Sequence, residues 1–146
     1  MSYKTPESVL VVIYTPELDV LLLERADHPG WWQSVTGSME QEESAQQTAV
    51  RETMEETGLD ANKYPLQDLG YSNRYEIYDC FRHRYAPGVT HNTEHVFGLV
   101  VPRQTHITLA PREHLRYIWI PAQAAAEKCF SPSNQAAINF LLKGRS

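Results

Sequence analysis

Glu40, Glu42, Glu43, Glu52, Glu55 and Glu56 fall within one stretch, GSMEQEESAQQTAVRETMEETGL from Gly37 to Leu59, which holds a single arginine, Arg51. Like charges in contact oppose folding. At an effective dielectric near 20, two carboxylates about 4 Å apart repel by roughly 4 kcal/mol, against the roughly 5 to 15 kcal/mol that stabilises a whole domain. Either these side chains spread over a solvated helix face or several of them converge on a cation. A solvated acidic face usually interleaves basic residues at i+4, and here only Arg51 and Glu55 make such a pair. The spacing therefore favours a cation site. Oxygen ligands without histidine or cysteine select hard divalent ions, Mg²⁺ or Mn²⁺, over zinc or copper.

A helix must position these groups. Ser44 followed by Gln47 fits a capping box and Gly58 stands where a left-handed cap is needed, so the spacing predicts a helix from Ala45 to Thr57. At about 100° per residue, Ala45, Ala49, Glu52 and Glu56 align on one face with Glu55 beside them. Val50, Thr53, Met54 and Thr57 fall on the other side, which is expected to rest on a sheet. The sheet is foreshadowed by SVLVVIY (Ser8 to Tyr14), by VLLLER (Val20 to Arg25) as its partner, by a strand around Tyr71 to Tyr78, by TEHVFGLVV and by LRYIWI. ADHPGWWQS and FRHRYAPGVTHN read as irregular. Ser131 and Pro132 open a second helix, with Ala137, Ile138, Leu141 and Leu142 on one side. A mixed sheet flanked by helices, in one domain spanning 1–146, is the expected α/β architecture.

Composition narrows the partners. A net charge of −5 argues against a general nucleic-acid or anionic-membrane surface, so a polyanionic substrate would need metal ions as intermediaries. Cys80 and Cys129 form no CxxC pair and are expected to be buried, reduced thiols. The apolar run from Val9 to Tyr14 is too short for a signal-peptide core or a membrane span, and a cytoplasmic location is expected.

Gly37, Glu43, Arg51, Glu52, Glu55, Glu56, Gly58 and Leu59 stand at the spacing of the Nudix box, and the chain resembles the Nudix hydrolases. Seven such glycine and charged positions would coincide by chance on the order of once in 10⁸ to 10⁹ starts. Thr53 departs from the pattern, which has an aliphatic residue there, and is expected to weaken helix packing slightly. The resemblance implies an αβα sandwich and hydrolysis of nucleoside diphosphates linked to another group. It also implies Mg²⁺ ligation by Glu52 and Glu56, with Glu55 as an additional or water-mediated ligand, and Arg51 orienting a box carboxylate such as Glu43.

Outside the box, WWQSVTGS, HRYAPGVTHNTEHVF and EHLRYIWIPA are similar to the dihydroneopterin triphosphate pyrophosphatases. That resemblance implies release of pyrophosphate from dihydroneopterin triphosphate, with dATP and other nucleoside triphosphates as further substrates, and a metal ligand at Glu113. Arg82, His83, Arg84, His91 and Asn92 form a basic, hydrogen-bonding cluster suited to terminal phosphates. Trp32, Gln33 and Ser34 offer a flat ring and hydrogen-bonding groups to a pterin. Tyr75 keeps open a diadenosine polyphosphate hydrolase, because some of these carry a functional tyrosine at that distance from the box. A Nudix-fold sensor without hydrolysis is a further alternative, disfavoured because every charged box position is retained. A monomer is expected, with self-pairing left open.

Overall fold

The unbroken apolar run of the N-terminal strand has a topological cause. In the computed structural model, which describes residues 3–144, β1 (Glu7–Tyr14) lies at the centre of a seven-stranded mixed sheet. It pairs in parallel with β6 (His91–Val100) along its whole length. A central strand with a parallel neighbour is covered on both faces, and Val9 to Tyr14 are all buried. β5 (Leu66–Glu76) extends the sheet beyond β6 in antiparallel register, with an irregularity between Asp68 and Ser72.

On its other side β1 meets two strands in succession. β4 (Val35–Ser38) pairs antiparallel with the Ser8 to Val11 half, while β2 (Asp19–Arg25) meets β1 at Tyr14 and Val20 alone. The expected β1–β2 partnership is thus reduced to one register pair. β2 instead forms its long ladder with β7 (His114–Pro121) and a short one with β3 (Trp32–Gln33). β3 comes from the end of the ADHPGWWQS stretch, expected to be irregular, and β4 from VTGS, for which no element was expected; both are too short for alternation to reveal them.

The box helix α1 (Ala45–Thr57) has the predicted bounds: Ser44 accepts from the Gln47 backbone, the capping box closes, and Gly58 is left-handed with its N–H on the Met54 carbonyl. α1 covers one face of the sheet, over Val9, Val11, Leu21, Val35 and Phe97. α2 (Ala122–Lys128) and α3 (Pro132–Lys143) cover the other, over Leu10, Val12, Leu22 and Val96. This is the αβα sandwich expected. α2 is an addition to the expected elements; its run of alanines has high helix propensity, and Pro121 precedes the first turn. α3 buries Ala137 and Ile138 as expected.

The facing of α1 differs in part from expectation. Thr48, Ala49, Thr53, Glu56 and Thr57 are the buried positions, and Met54 is 46% exposed. The side that meets the sheet is therefore built from alanine, threonine and a carboxylate. Small residues let the helix approach closely enough for its glutamates to reach the strand ends. Thr53 is fully buried with its hydroxyl unpartnered, a desolvation cost of roughly 1 to 3 kcal/mol that an aliphatic residue would not incur. Cys129 is buried as expected, but Cys80 is exposed. Among the described residues no helix is long and apolar enough to cross a membrane.

Candidate active site

Arg51 organises the box. Its Nε and Nη2 donate to the two Glu43 carboxylate oxygens at 2.8 and 2.9 Å, Nη2 also donates to the Ser38 carbonyl at 3.0 Å, and Nη1 reaches Glu52 at 3.3 Å. Glu43 further accepts from the Thr48 hydroxyl at 2.7 Å and from the Glu40 backbone at 3.0 Å. The Arg51 bonds come first among the forces that hold the Glu43 carboxyl down to about 2, with the Glu40 and Thr48 bonds adding to them. A bidentate arginine–carboxylate pair fixes geometry as well as charge. It ties α1 to the loop after β4. Glu55 is exposed and lies 3.4 Å from Arg51 in the predicted i,i+4 pair.

Glu52 and Glu56 are less comfortable. Burial lifts the Glu52 carboxyl to about 7, with Arg51 pulling it down and Glu55 pushing it up. Burial, then the neighbouring Glu52 charge, raises Glu56 well above the usual carboxylate range. Glu56 is 2% exposed, and its Oε1 has no hydrogen-bond partner. Gly37 makes room for this arrangement, since a Cβ there would collide with the Glu52 carboxylate. A desolvated pair of carboxylates with an orphaned oxygen fits a divalent cation. Among the described residues no three acidic, histidine or cysteine side chains already form a metal cage. A divalent ion bound at such a pair would take its remaining ligands from substrate phosphates and water.

Glu113 stands just before β7, exposed, and lines the same cavity as Glu56, Gly37 and Ser38. Its charge adds to the repulsion on Glu56. The next residue, His114, is buried with Nε2 3.7 Å from Glu56 Oε1. That separation is too long for a hydrogen bond. Burial, then the charge of Arg25, lowers the imidazole to about 4, so His114 is neutral at pH 7 and does not neutralise Glu56.

The cavity has a volume of about 450 Å³ and runs from Glu56 and Glu113 to Glu94 and Asn134, with residues of β1 and β4 among its lining. This is within the usual range for small-molecule sites. It divides the residues read as one basic cluster. Arg84 and Asn92 line it, whereas Arg82, His83 and His91 do not. Arg82 turns to Glu76 at 2.7 Å, His83 is exposed, and His91 Nδ1 lies 2.9 Å from the Thr90 hydroxyl. The short 3₁₀ turn Asp79–Arg84 and the bend before β6 separate side chains that are near in sequence.

The WQS reading divides likewise. Gln33 lines the cavity and accepts from Arg25 at 3.0 Å. Trp32 does not line it; it is a core residue, with Arg116 and Lys128 over its ring at 5.4 and 5.1 Å. Ser34 is buried against Asn134, which accepts from its backbone N–H at 2.8 Å and donates to its hydroxyl at 3.0 Å. Trp31, next door, is stacked between His28 and Phe130.

Lys4 and Arg25 line the cavity without a local signal in the sequence, and they join Arg84, which was expected there. Arg25 and Arg84 both bond Asp27, at 2.7 and 3.0 Å, and both lie over the Phe81 ring, at 4.6 and 5.0 Å. Lys4 lines the cavity too, close enough for the charges of Arg84, Glu52 and Glu113 to act on its ammonium. Together Lys4, Arg25 and Arg84 put positive charge beside the carboxylate end. Three segments distant in sequence meet here, which no spacing rule reveals.

The NUDIX domain family matches residues 4–139. Over 139 residues the chain is 48% identical to the dihydroneopterin triphosphate diphosphatase of Escherichia coli (strain K12), covering 93% of this chain and 91% of that protein. It is 44% identical over 141 residues to the dihydroneopterin triphosphate diphosphatase of Haemophilus influenzae, covering 94% and 88%. The solved structure of the E. coli dihydroneopterin triphosphate pyrophosphohydrolase superimposes with a TM-score of 0.89 at 48% identity, covering 94% of this chain and 95% of that one.

Proposed function

Because the chain belongs to the NUDIX domain family, whose hydrolases use divalent metal ions, we propose that it hydrolyses dihydroneopterin triphosphate to the monophosphate and pyrophosphate with Mg²⁺. Near full-length likeness to enzymes of that name carries the choice of substrate, and the unpartnered Glu56 oxygen beside Glu52 supports the metal. Dihydroneopterin monophosphate is a folate precursor in this reading. Mn²⁺ would substitute for Mg²⁺, and dATP and other nucleoside triphosphates would be slower substrates. The chain would work as one cytoplasmic Nudix domain and as a monomer, without nucleic-acid or membrane partners.

In this reading Glu52 and Glu56 would hold the ion, and Glu55 or Glu113 would complete its ligands. When bound, it would supply Lewis acidity that polarises phosphoryl oxygens and makes water a stronger acid. A carboxylate of the same group, Glu55 or Glu113, takes the proton as water adds to phosphorus. The phosphoanhydride bond then breaks and pyrophosphate leaves with the electron pair. Lys4, Arg25 and Arg84 face the charge that develops on the departing oxygens, where electrostatic stabilisation counts most. Arg51 acts through Glu43 and Glu52 as a positioning residue.

A panel of triphosphates at saturating Mg²⁺ tests the proposal. The highest kcat/KM is expected for dihydroneopterin triphosphate, above dATP, GTP and diadenosine tetraphosphate. Tyr75 lies in the cavity, with its hydroxyl accepting from Asn92 at 3.0 Å. If diadenosine tetraphosphate gave the highest value, a dinucleotide reading centred on Tyr75 would replace the pterin one.

A further inference from the structure

The end of the cavity remote from Glu56 contains a carboxylate that the hydrolytic chemistry does not use. Glu94 sits in β6, opposite Ser8 of β1 and Asn73 of β5. It is 4% exposed, it lines the cavity, and its Oε1 has no hydrogen-bond partner. Burial raises its carboxyl to about 7, against the hydroxyl of Ser133 and the amide of Asn73 beside it, and no cationic side chain contributes. An acid in that position weakens the sheet unless something completes it. Two residues earlier on the same face, Asn92 donates to Ser8 at 2.7 Å and to Tyr75 at 3.0 Å, leaving its own buried Oδ1 unpartnered. The floor of the cavity therefore presents acceptors that want donors, walled by Tyr75 and Phe130.

We propose that Glu94 determines specificity for the heterocycle, its carboxylate accepting the adjacent ring N–H and exocyclic amino N–H of a 2-amino-4-oxopyrimidine. Pterins and guanine share that pair of donors. Adenine offers an acceptor beside a donor at the corresponding edge, so a carboxylate there meets a lone pair. The inference rests on the pterin reading of the same site and adds the residue that enforces it. A ligand with two adjacent donors completes both the carboxylate and its geometry, as bidentate charge-assisted pairs do. A site built around such a pair rejects analogues that cannot make it, because its buried polar groups are then left unpaired.

The experiment compares dihydroneopterin triphosphate, GTP, inosine triphosphate and dATP on the wild type and on Glu94→Gln, whose carboxamide presents one donor and one acceptor. The ratio of kcat/KM for dihydroneopterin triphosphate to that for dATP is expected to fall about 10²-fold in the variant, and the ratio of GTP to dATP likewise. In the wild type, inosine triphosphate, which lacks the exocyclic amino group, is expected to be at least about tenfold poorer than GTP. Ratios unchanged in Glu94→Gln, or equal turnover of GTP and inosine triphosphate, would overturn the inference; the second comparison decides alone if the variant does not fold. A wild type that prefers GTP to inosine triphosphate yet leaves dihydroneopterin triphosphate intact would refute the pterin substrate while supporting the role of Glu94.

Discussion

Replacing Glu56 by glutamine is expected to lower kcat/KM by about 10³ to 10⁵ and, in metal-free protein, to raise the melting temperature at pH 8. The two effects have one origin. Glu56 is buried beside Glu52 with an oxygen unpartnered, so ionising it in the folded state is unfavourable until a cation arrives. A carboxyl whose folded pKa lies above its unfolded value favours folding when protonated, and that contribution is lost as pH rises through the folded pKa. For Glu52 the value is about 7, and for Glu56 it lies well above the usual carboxylate range. Metal-free wild type should therefore lose stability as pH rises above about 4.5, the ordinary glutamate value, through about 7 for Glu52 and further for Glu56, and Glu56→Gln should lose less. Removing a metal ligand withdraws several kcal/mol of transition-state stabilisation, hence the size of the rate loss. Millimolar Mg²⁺ with a non-hydrolysable triphosphate should raise the melting temperature of the wild type and have little effect on the variant. Calorimetric scans at pH 6 and 8 with steady-state kinetics check each part. A variant with wild-type turnover, or one less stable than wild type in metal-free buffer at pH 8, would contradict this role for Glu56.

The helix carrying these glutamates was legible because its signals are local. Ser44, Gln47 and Gly58 fix both ends within a few residues of the helix itself. Of the side expected to rest on the sheet, Thr53 and Thr57 are buried and Val50 packs against the core, but Met54 is exposed; Thr48, Ala49 and Glu56 are buried as well, since closeness matters there more than apolar area. β1 was legible as a doubly covered strand, but its neighbours were not, because pairing with β6 and β4 depends on segments far along the chain. The basic stretch around Arg82 and Arg84 was plain in the sequence. Which of its members face the cavity depends on the 3₁₀ turn, which directs Arg84 to Asp27 and Arg82 to Glu76. Glu94 gave a signal that is easy to pass over: a glutamate two residues from Asn92 and from Val96, all three of them buried.

The second large effect concerns Glu113. Glu113→Gln keeps the size and hydrogen-bonding capacity of the side chain and removes its charge. A role as metal ligand or proton acceptor predicts a loss of about 10² to 10⁴ in kcat with the fold retained. Two observations support that role. Glu113 lines the cavity with Glu56, and its charge is felt by the Glu56 carboxyl. Its backbone carbonyl also accepts from Ala26 at 2.9 Å, a bond that substitution leaves intact. Glu43→Gln is the comparison. Glu43 is bonded to Arg51, Thr48 and the Glu40 backbone, so its loss should lower the melting temperature along with the rate. Turnover near the wild-type value by Glu113→Gln at saturating Mg²⁺ would remove Glu113 from the site and leave Glu55 as the remaining candidate.

A pyrophosphohydrolase acting on a pterin triphosphate is recognised by its products. Wild-type protein, dihydroneopterin triphosphate and Mg²⁺ should give dihydroneopterin monophosphate and pyrophosphate in equal amounts, resolved by phosphorus NMR, with no orthophosphate and no reaction after chelation of the metal. Orthophosphate with dihydroneopterin diphosphate, or substrate left intact while another triphosphate is consumed, would contradict it.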